Sequence, residues 1–193
     1  MRSDAKIRVP VAPAWVPGSA RSALSCEGGS LQPPSGRLPG TEAGATDLGR
    51  RQLFVTSRRR VRGVRVADIR RDAARMLRSL GVAAELSVVL VDDAEIHRLN
   101  ALYRHIDRST DVLAFAMREG DGATLHAALL GDVVISLDTA ARQAAARAVA
   151  VADEVRLLLA HGVLHLLGYD HERSPAEARR MFRRQRQLLA ALG

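Results

Sequence analysis

The sequence predicts an α+β fold, a single domain in which a mixed β-sheet packs with about five helices. Three observations lead to this fold class. Short runs rich in Val, Ile and Leu alternate with longer segments whose apolar residues recur every three or four positions. Capping residues and glycines separate these segments. No uninterrupted apolar run reaches the roughly 18 residues of a membrane-spanning helix, which excludes a transmembrane protein.

Four strands are predicted from the short apolar runs. Leu86–Val91 is apolar at almost every position, so both of its faces would be buried and it is expected in the centre of the sheet. The other three predicted strands are Leu53–Thr56, Val112–Met117 and Asp132–Ser136.

Five helices are predicted from apolar spacing and from caps. Val66–Leu80 carries a helical apolar stripe and is followed by Gly81, which suits the end of a helix. Asp92 or Asp93 is expected to cap a helix that runs to about Leu102, with Ile96 and Leu99 facing inward. The remaining helices are expected at Thr139–Ala148, at Val151–Leu167 before Gly168, and from the capping box Ser174-Pro175-Ala176-Glu177 to about Leu192.

The chain of 193 residues divides by composition at about residue 50. Residues 1–50 hold six of the seven prolines and seven of the fifteen glycines, and we expect them to be a disordered extension. Residues 51–193 are long enough for one core. The one cysteine, Cys26, cannot form an internal disulfide, so a disulfide-stapled secreted scaffold is excluded and a reducing cytoplasm is expected.

The net charge is +8, and every basic residue except Lys6 is an arginine. An Arg-rich and Ala-rich composition is typical of GC-rich genomes, whereas clustered arginines also suit a polyanionic partner. Two clusters stand out: Arg58, Arg59, Arg60, Arg62 and Arg65, and then Arg179, Arg180, Arg183, Arg184 and Arg186. Because only 3% of the residues are aromatic, base stacking is not expected to dominate, and Tyr103 and Tyr169 are the best candidates for it.

The segment 161–171 carries the chemistry. His161 and His165 are four residues apart on a predicted, strongly apolar helix, so both imidazoles project from one face. Gly168 permits the turn that would bring His171 back as a third ligand. Packed core histidines are the alternative, but uncompensated imidazoles are costly on so apolar a helix. Three histidines that leave one position open are typical of a catalytic zinc site.

The histidine spacing equals that of the metzincin proteases, with one departure. Those proteases have a glutamate after the first histidine, whereas this chain has Gly162. The carboxylate that serves as the general base for peptide hydrolysis is therefore missing. A metalloprotease that draws its base from elsewhere remains an alternative.

The run HGVLHLLGYDH at 161–171 resembles the signature of the YbeY endoribonucleases, the rRNA maturation factor family. The resemblance extends to the blocks at 99–115 and 130–136, to Gln143 and to Glu154, and it covers roughly residues 51–193. Ala114 and Ala116 depart from the usual Ser and Pro.

The resemblance implies a metal-dependent, single-strand-specific endoribonuclease. Such an enzyme would act in the cytoplasm on the 3′ end of small-subunit (16S) rRNA and in ribosome quality control. It implies zinc, or another transition metal, at His161, His165 and His171, and an important arginine at Arg104. The expected partners are single-stranded rRNA, the small ribosomal subunit and its assembly factors, with no membrane and no DNA. A non-enzymatic ribosome-assembly factor with a structural metal is the other alternative.

Several residues near the motif keep two possible roles. Asp170 could orient a ligand imidazole or form a turn, and Asp111 could cap a turn or line the cleft. Glu154 is expected to be a buried partner for an arginine. We expect His97, His105 and His126 to lie on the surface or in loops.

Overall fold

The computed structural model describes residues 53–117 and 129–192, all of which lie in one compact unit. These residues form the α+β fold that the sequence predicts. The predicted extension 1–50, Cys26 and His126 lie outside the described residues. The elements are β1 (Leu53–Ser57), α1 (Val66–Ser79), β2 (Glu85–Val91), α2 (Asp93–Arg104), β3 (Val112–Ala116), β4 (Leu129–Ser136), α3 (Leu137–Arg147), α4 (Val151–Leu166) and α5 (Pro175–Ala190).

The four described strands form one mixed sheet in the order β1-β2-β4-β3. β2 pairs in parallel with β1 and β4, and β3 runs antiparallel to β4. The interior place of β2 confirms the prediction made from its continuous apolar run. The carboxyl ends of β1, β2 and β4 therefore lie at the same end of the sheet as the start of β3.

Two of the elements begin two or more residues before their predicted starts. β4 begins at Leu129, three residues before the predicted start. α3 begins at Leu137 rather than Thr139, because the hydroxyl of Ser136 accepts a hydrogen bond from the Thr139 amide at 3.1 Å and caps the helix. Ser136 thus ends the strand and starts the helix in one step.

Two hydrophobic cores cover the two faces of the sheet. The larger core joins alternate residues of the strands, such as Val88 and Val133, to α1, α3 and α4. The smaller core lies on the other face and joins β2, β3 and β4 to Ile96 of α2. α5 packs on α4 through Met181 and Leu188. The helices α2 and α4 consequently lie on opposite faces of the sheet.

Buried carboxylates tie the helices of the larger core together. Glu154 of α4 is only 2% exposed, and Nη1 of Arg147 donates to both of its carboxylate oxygens at 2.9 Å. This pair confirms the expected role of Glu154. Asp72 of α1 accepts a hydrogen bond from Arg156 of α4 at 2.7 Å in the same way.

None of the described helices is both long enough and apolar enough to cross a membrane.

Candidate metal centre

The end of α4 brings the three predicted histidines together. His161 and His165 lie one turn apart, and Gly168, with φ of 82°, turns the chain so that His171 returns beside them. The ring centroids of the three imidazoles lie 4.7 to 5.2 Å apart. The structure thus assembles the triad that the spacing predicts.

The nitrogen atoms of this triad fit a metal ion. One ligand nitrogen from each histidine lies within 4.8 Å of the others, and the Nε2 atoms of His161 and His165 are 3.1 Å apart. Two nitrogens bound at about 2.0–2.1 Å to one tetrahedral ion have a similar separation. Nδ1 of His171 is buried and has no hydrogen-bond partner among the described residues. A buried imidazole nitrogen without a hydrogen-bond partner is consistent with a histidine that binds a metal ion.

Gln185 of α5 sets the orientation of the first ligand. Its Oε1 lies 3.1 Å from Nδ1 of His161, and the side chain is buried at 8% exposure. Because an amide oxygen only accepts, Nδ1 of His161 carries the proton and donates it to Gln185. Nε2 is then the unprotonated nitrogen, and it is the one that faces His165.

Burial keeps two of the imidazoles neutral. It lowers the pKa of His161, despite the opposing hydrogen bond to Gln185. Burial also lowers the pKa of His165 to about 4, with repulsion from His161 and His171 as further causes. Both rings are therefore neutral at pH 7, which is the form that binds metal ions.

Gly162 packs directly against the sheet. A Cβ atom at this position would lie 2.7 Å from Cγ1 of Val133 and 3.3 Å from Cγ2 of Val112. The position after the first histidine thus has no room for a side chain, and a glutamate there would collide with β3 and β4. The absence of a side chain at Gly162 thus allows α4 to approach the sheet this closely.

The triad lies in the wall of a cleft of about 810 Å³, which also contains Arg104. The residues of β3 that line it come from both faces of the strand, so the cleft follows the outer edge of β3. Arg108 and Arg173 line it as well. Among the described residues, Arg104 has no hydrogen-bond or ion-pair partner, whereas Arg173 pairs with Asp170 at 3.1 Å.

Comparison with known proteins agrees with this geometry. The family model described as Endoribonuclease YbeY matches residues 56–193, a range that includes Arg104 and all three histidines. The chain belongs to the YbeY endoribonuclease family.

Curated relatives support the same conclusion. The Endoribonuclease YbeY of Geobacter metallireducens is 46% identical over 143 residues, which cover 73% of this chain and 95% of the relative. That of Syntrophotalea carbinolica is 44% identical over 142 residues, covering 72% and 95%. The solution structure of TM1509 from Thermotoga maritima shares the fold, with a TM-score of 0.53, 24% identity, and coverage of 73% of this chain and 89% of that one.

Asp111 and Asp170 take different roles near the family motifs. Asp111 lines the cleft, where its carboxylate accepts hydrogen bonds from the amide of Val112 at 2.8 Å and from Gln143 at 3.0 Å. Of the two roles that the sequence allowed, it therefore takes the place in the wall of the cleft. Asp170 accepts from the amide of Glu172 at 2.8 Å and forms a turn, without a hydrogen bond to a ligand imidazole.

The two tyrosines and the two other described histidines have contacts of their own. Tyr103 packs edge-on against Phe115, with ring centroids 5.2 Å apart, and Tyr169 lies under the guanidinium of Arg180. His97 pairs with Asp107, and His105 ends α2 in a left-handed conformation with φ of 57°. Neither histidine joins the metal group.

The sequence reasoning missed Gln185 and the role of Asn100. Asn100 is 2% exposed, and its side-chain NH2 group donates to the backbone carbonyl of Arg108 at 2.8 Å, while the backbone carbonyl of Asn100 accepts from the amides of His105 and Ile106. These bonds fix the loop that follows Arg104. The sequence did carry a signal for Gln185. This polar residue lies at helical spacing between Met181 and Leu188, so it falls on the buried face of α5.

Proposed function

We propose that this protein is a metal-dependent endoribonuclease that cuts single-stranded RNA. The observation that carries the proposal is the placement of three histidines and Arg104 in the walls of one cleft. The description of the family as endoribonucleases supports the activity. Its proposed role is maturation of the 3′ end of small-subunit (16S) rRNA and ribosome quality control, in the cytoplasm, together with the small subunit and its assembly factors.

Zinc is the ion we propose for His161, His165 and His171. Neutral imidazoles are good ligands for zinc, and three of them leave a coordination position open, as in catalytic sites. The ion supplies Lewis-acid stabilisation of negative charge on a phosphoryl group when bound. Gln185 holds His161 in the tautomer that such a site needs.

Arg104 is the residue we propose to hold the scissile phosphate. A guanidinium presents a planar fork of donors that binds two phosphate oxygens at once. The charge on these oxygens grows towards the transition state, so the same two bonds strengthen as the reaction proceeds. Arg104 is available for this contact because the described residues provide it with no partner.

The surroundings of Gly162 argue against peptide hydrolysis. Close packing against Val133 leaves no space for a general base at the position where the metzincin proteases have one. A phosphodiester is already anionic, and an arginine suits its transition state better than a carboxylate does. The site therefore matches phosphoryl chemistry.

The decisive experiment is cleavage of an RNA fragment that carries the 3′ end of small-subunit rRNA. Zinc-loaded wild type is compared on a gel with H165A, R104A and R98A. Arg98 is the matched control, because it lies on α2 with Arg104 but pairs with Glu95 on the surface. We expect cleavage by wild type and R98A and its loss in the other two variants. A cyclic phosphate at the product ends would identify the 2′-hydroxyl of the RNA as the attacking group.

Two outcomes contradict the proposal. Equal cleavage by all four proteins would reveal a contaminating nuclease. An inactive wild type that unfolds when zinc is removed, and whose ribosome binding survives R104A, would instead identify a ribosome-assembly factor with a structural metal.

A further inference from the structure

A second basic pocket lies outside the cleft, at the carboxyl ends of β1 and β2. The chain between β1 and α1 forms most of it, and its volume is about 530 Å³. This volume is within the range of about 300–1,000 Å³ that is usual for small-ligand sites. The lining residues are Ser57, Arg59, Arg60, Val61, Arg62, Val64, Arg65, Val66 and Leu90.

The charges of this arginine pocket are only partly neutralised. Arg59 pairs with Asp138 at 3.0 Å and Arg65 pairs with Asp68 at 2.6 Å. Arg60 and Arg62 are exposed and have no hydrogen-bond or ion-pair partner among the described residues. No carboxylate lines the pocket. It therefore presents uncompensated positive charge above an apolar floor.

The arginine pocket and one end of the cleft lie at the same end of the sheet, where β1, β2 and β4 finish and β3 begins. Ser57 ends β1, and Val112 begins β3 opposite Ile135, near the end of β4. β1 and β3 are separated by three strand spacings of about 4.8 Å each, or about 14 Å in all. This separation is short enough for one extended RNA strand to contact both the cleft and the pocket.

We propose that the arginine pocket binds backbone phosphates of the RNA strand whose scissile bond lies in the cleft. This inference rests on the proposed function and adds a second contact to it. Arginine forks bind phosphate oxygens bidentately. No aromatic residue lines the pocket, so it has nothing on which bases could stack and holds the strand without reading its sequence.

The position of the arginine pocket relative to the cleft favours RNA over an acidic protein as its ligand. Arg104, Arg108 and Arg173 line the cleft, so arginines are present in the cleft as well as in the arginine pocket. A continuous polyanion satisfies both groups at once. An acidic protein segment would use the pocket alone, and the experiment below separates the two.

The test compares the variant R60Q/R62Q with R78Q/R98Q, which removes the same charge. Arg78 and Arg98 are exposed and line neither the cleft nor the arginine pocket. All proteins carry H165A so that the RNA stays intact, and circular dichroism confirms that they are folded. The affinity for a labelled single-stranded RNA of 12 nucleotides is measured by fluorescence anisotropy over a series of salt concentrations.

We expect the slope of log Kd against log salt to fall by about 1.4 in R60Q/R62Q, since each neutralised phosphate of a single strand contributes about 0.7. The control variant should keep the slope of the parent. A trinucleotide, which fills the cleft alone, should bind all three proteins equally.

Equal slopes in the two double variants would overturn the inference and leave the proposed function standing. Unchanged RNA binding by R60Q/R62Q, with lost binding of a poly-glutamate peptide, would assign the pocket to an acidic protein instead. Failure of the parent protein itself to bind RNA would overturn the proposed function and this inference together.

Discussion

Oε1 of Gln185 lies 3.1 Å from Nδ1 of His161, which links the last helix to the first histidine of the triad. The bond joins two elements that the hydrophobic contacts of Leu164, Met181 and Leu188 already hold together. Packing of α5 therefore contributes directly to the direction in which His161 points.

The variant Q185L should weaken zinc binding by about 10- to 100-fold, because outer hydrogen bonds to ligand histidines have effects of this size. Competition with a chelator measures the affinity without any use of activity. Gln187 provides the control, since it is exposed on the same helix and its side chain accepts a hydrogen bond from Arg184 at 3.2 Å. Equal zinc affinities for Q185L and Q187L would contradict the assigned role.

Adding one methyl group at Gly162 should destabilise the protein by about 1–3 kcal/mol, the usual cost of overpacking a core. The atom that resists it is Cγ1 of Val133, 2.7 Å from the added Cβ. Urea unfolding of G162A measures the change. The double variant G162A/V133A should be more stable than the sum of the single effects predicts. V133A removes the atom that the added methyl group meets, and that methyl group fills part of the space that V133A opens. Strict additivity would show that the helix moves away from the sheet instead.

Removal of the guanidinium in R147A should lower the free energy of unfolding by about 1–3 kcal/mol, because it leaves the buried carboxylate of Glu154 without a partner. The surface pair of Arg98 and Glu95 offers a comparison in which the carboxylate is more accessible. R98A should change the stability by less than about 1 kcal/mol. Similar losses in the two variants would show that the burial of Glu154 does not determine the effect.

The stability of the metal-free protein should fall as the pH decreases from about 6.5 to 4. Burial lowers the pKa of His161, and that of His165 to about 4, so the unfolded chain binds protons in this interval that the folded chain does not. The loss is absent above pH 6.5 and grows as the histidines of the unfolded chain become protonated. It stops growing near pH 4, where the folded His165 binds its proton as well. Tm measured from pH 7.5 to 4 should decline less steeply in H165A. Parallel curves for the two proteins would exclude His165 as a source of the decline.

Much of the fold followed from local patterns in the sequence. The continuous apolar run at 86–91 predicted a central strand, and the structure confirms this with parallel neighbours on both sides. The spacing of His161, His165 and His171 predicted the triad because a helix and a glycine turn dictate its geometry. These features depend on residues close together in the chain.

Features that depend on distant residues could not be predicted in this way. Gln185 lies 24 residues after His161, and their contact depends on how α5 packs against α4. The crowding at Gly162 likewise requires the position of β4, which no periodicity of α4 contains. The role of Ser136 was missed because it serves a strand and a helix at once.

The residues of the candidate site are held by two different hydrophobic cores, one on each face of the sheet. His161 and His165 extend from α4 above the larger core, whereas Arg104 ends α2, which the smaller core holds through Ile96. Under the proposed function, damage to the smaller core displaces the arginine and leaves the metal ligands in place. Such a protein would bind zinc as the native one does and still be inactive, so zinc content alone would not measure the active fraction.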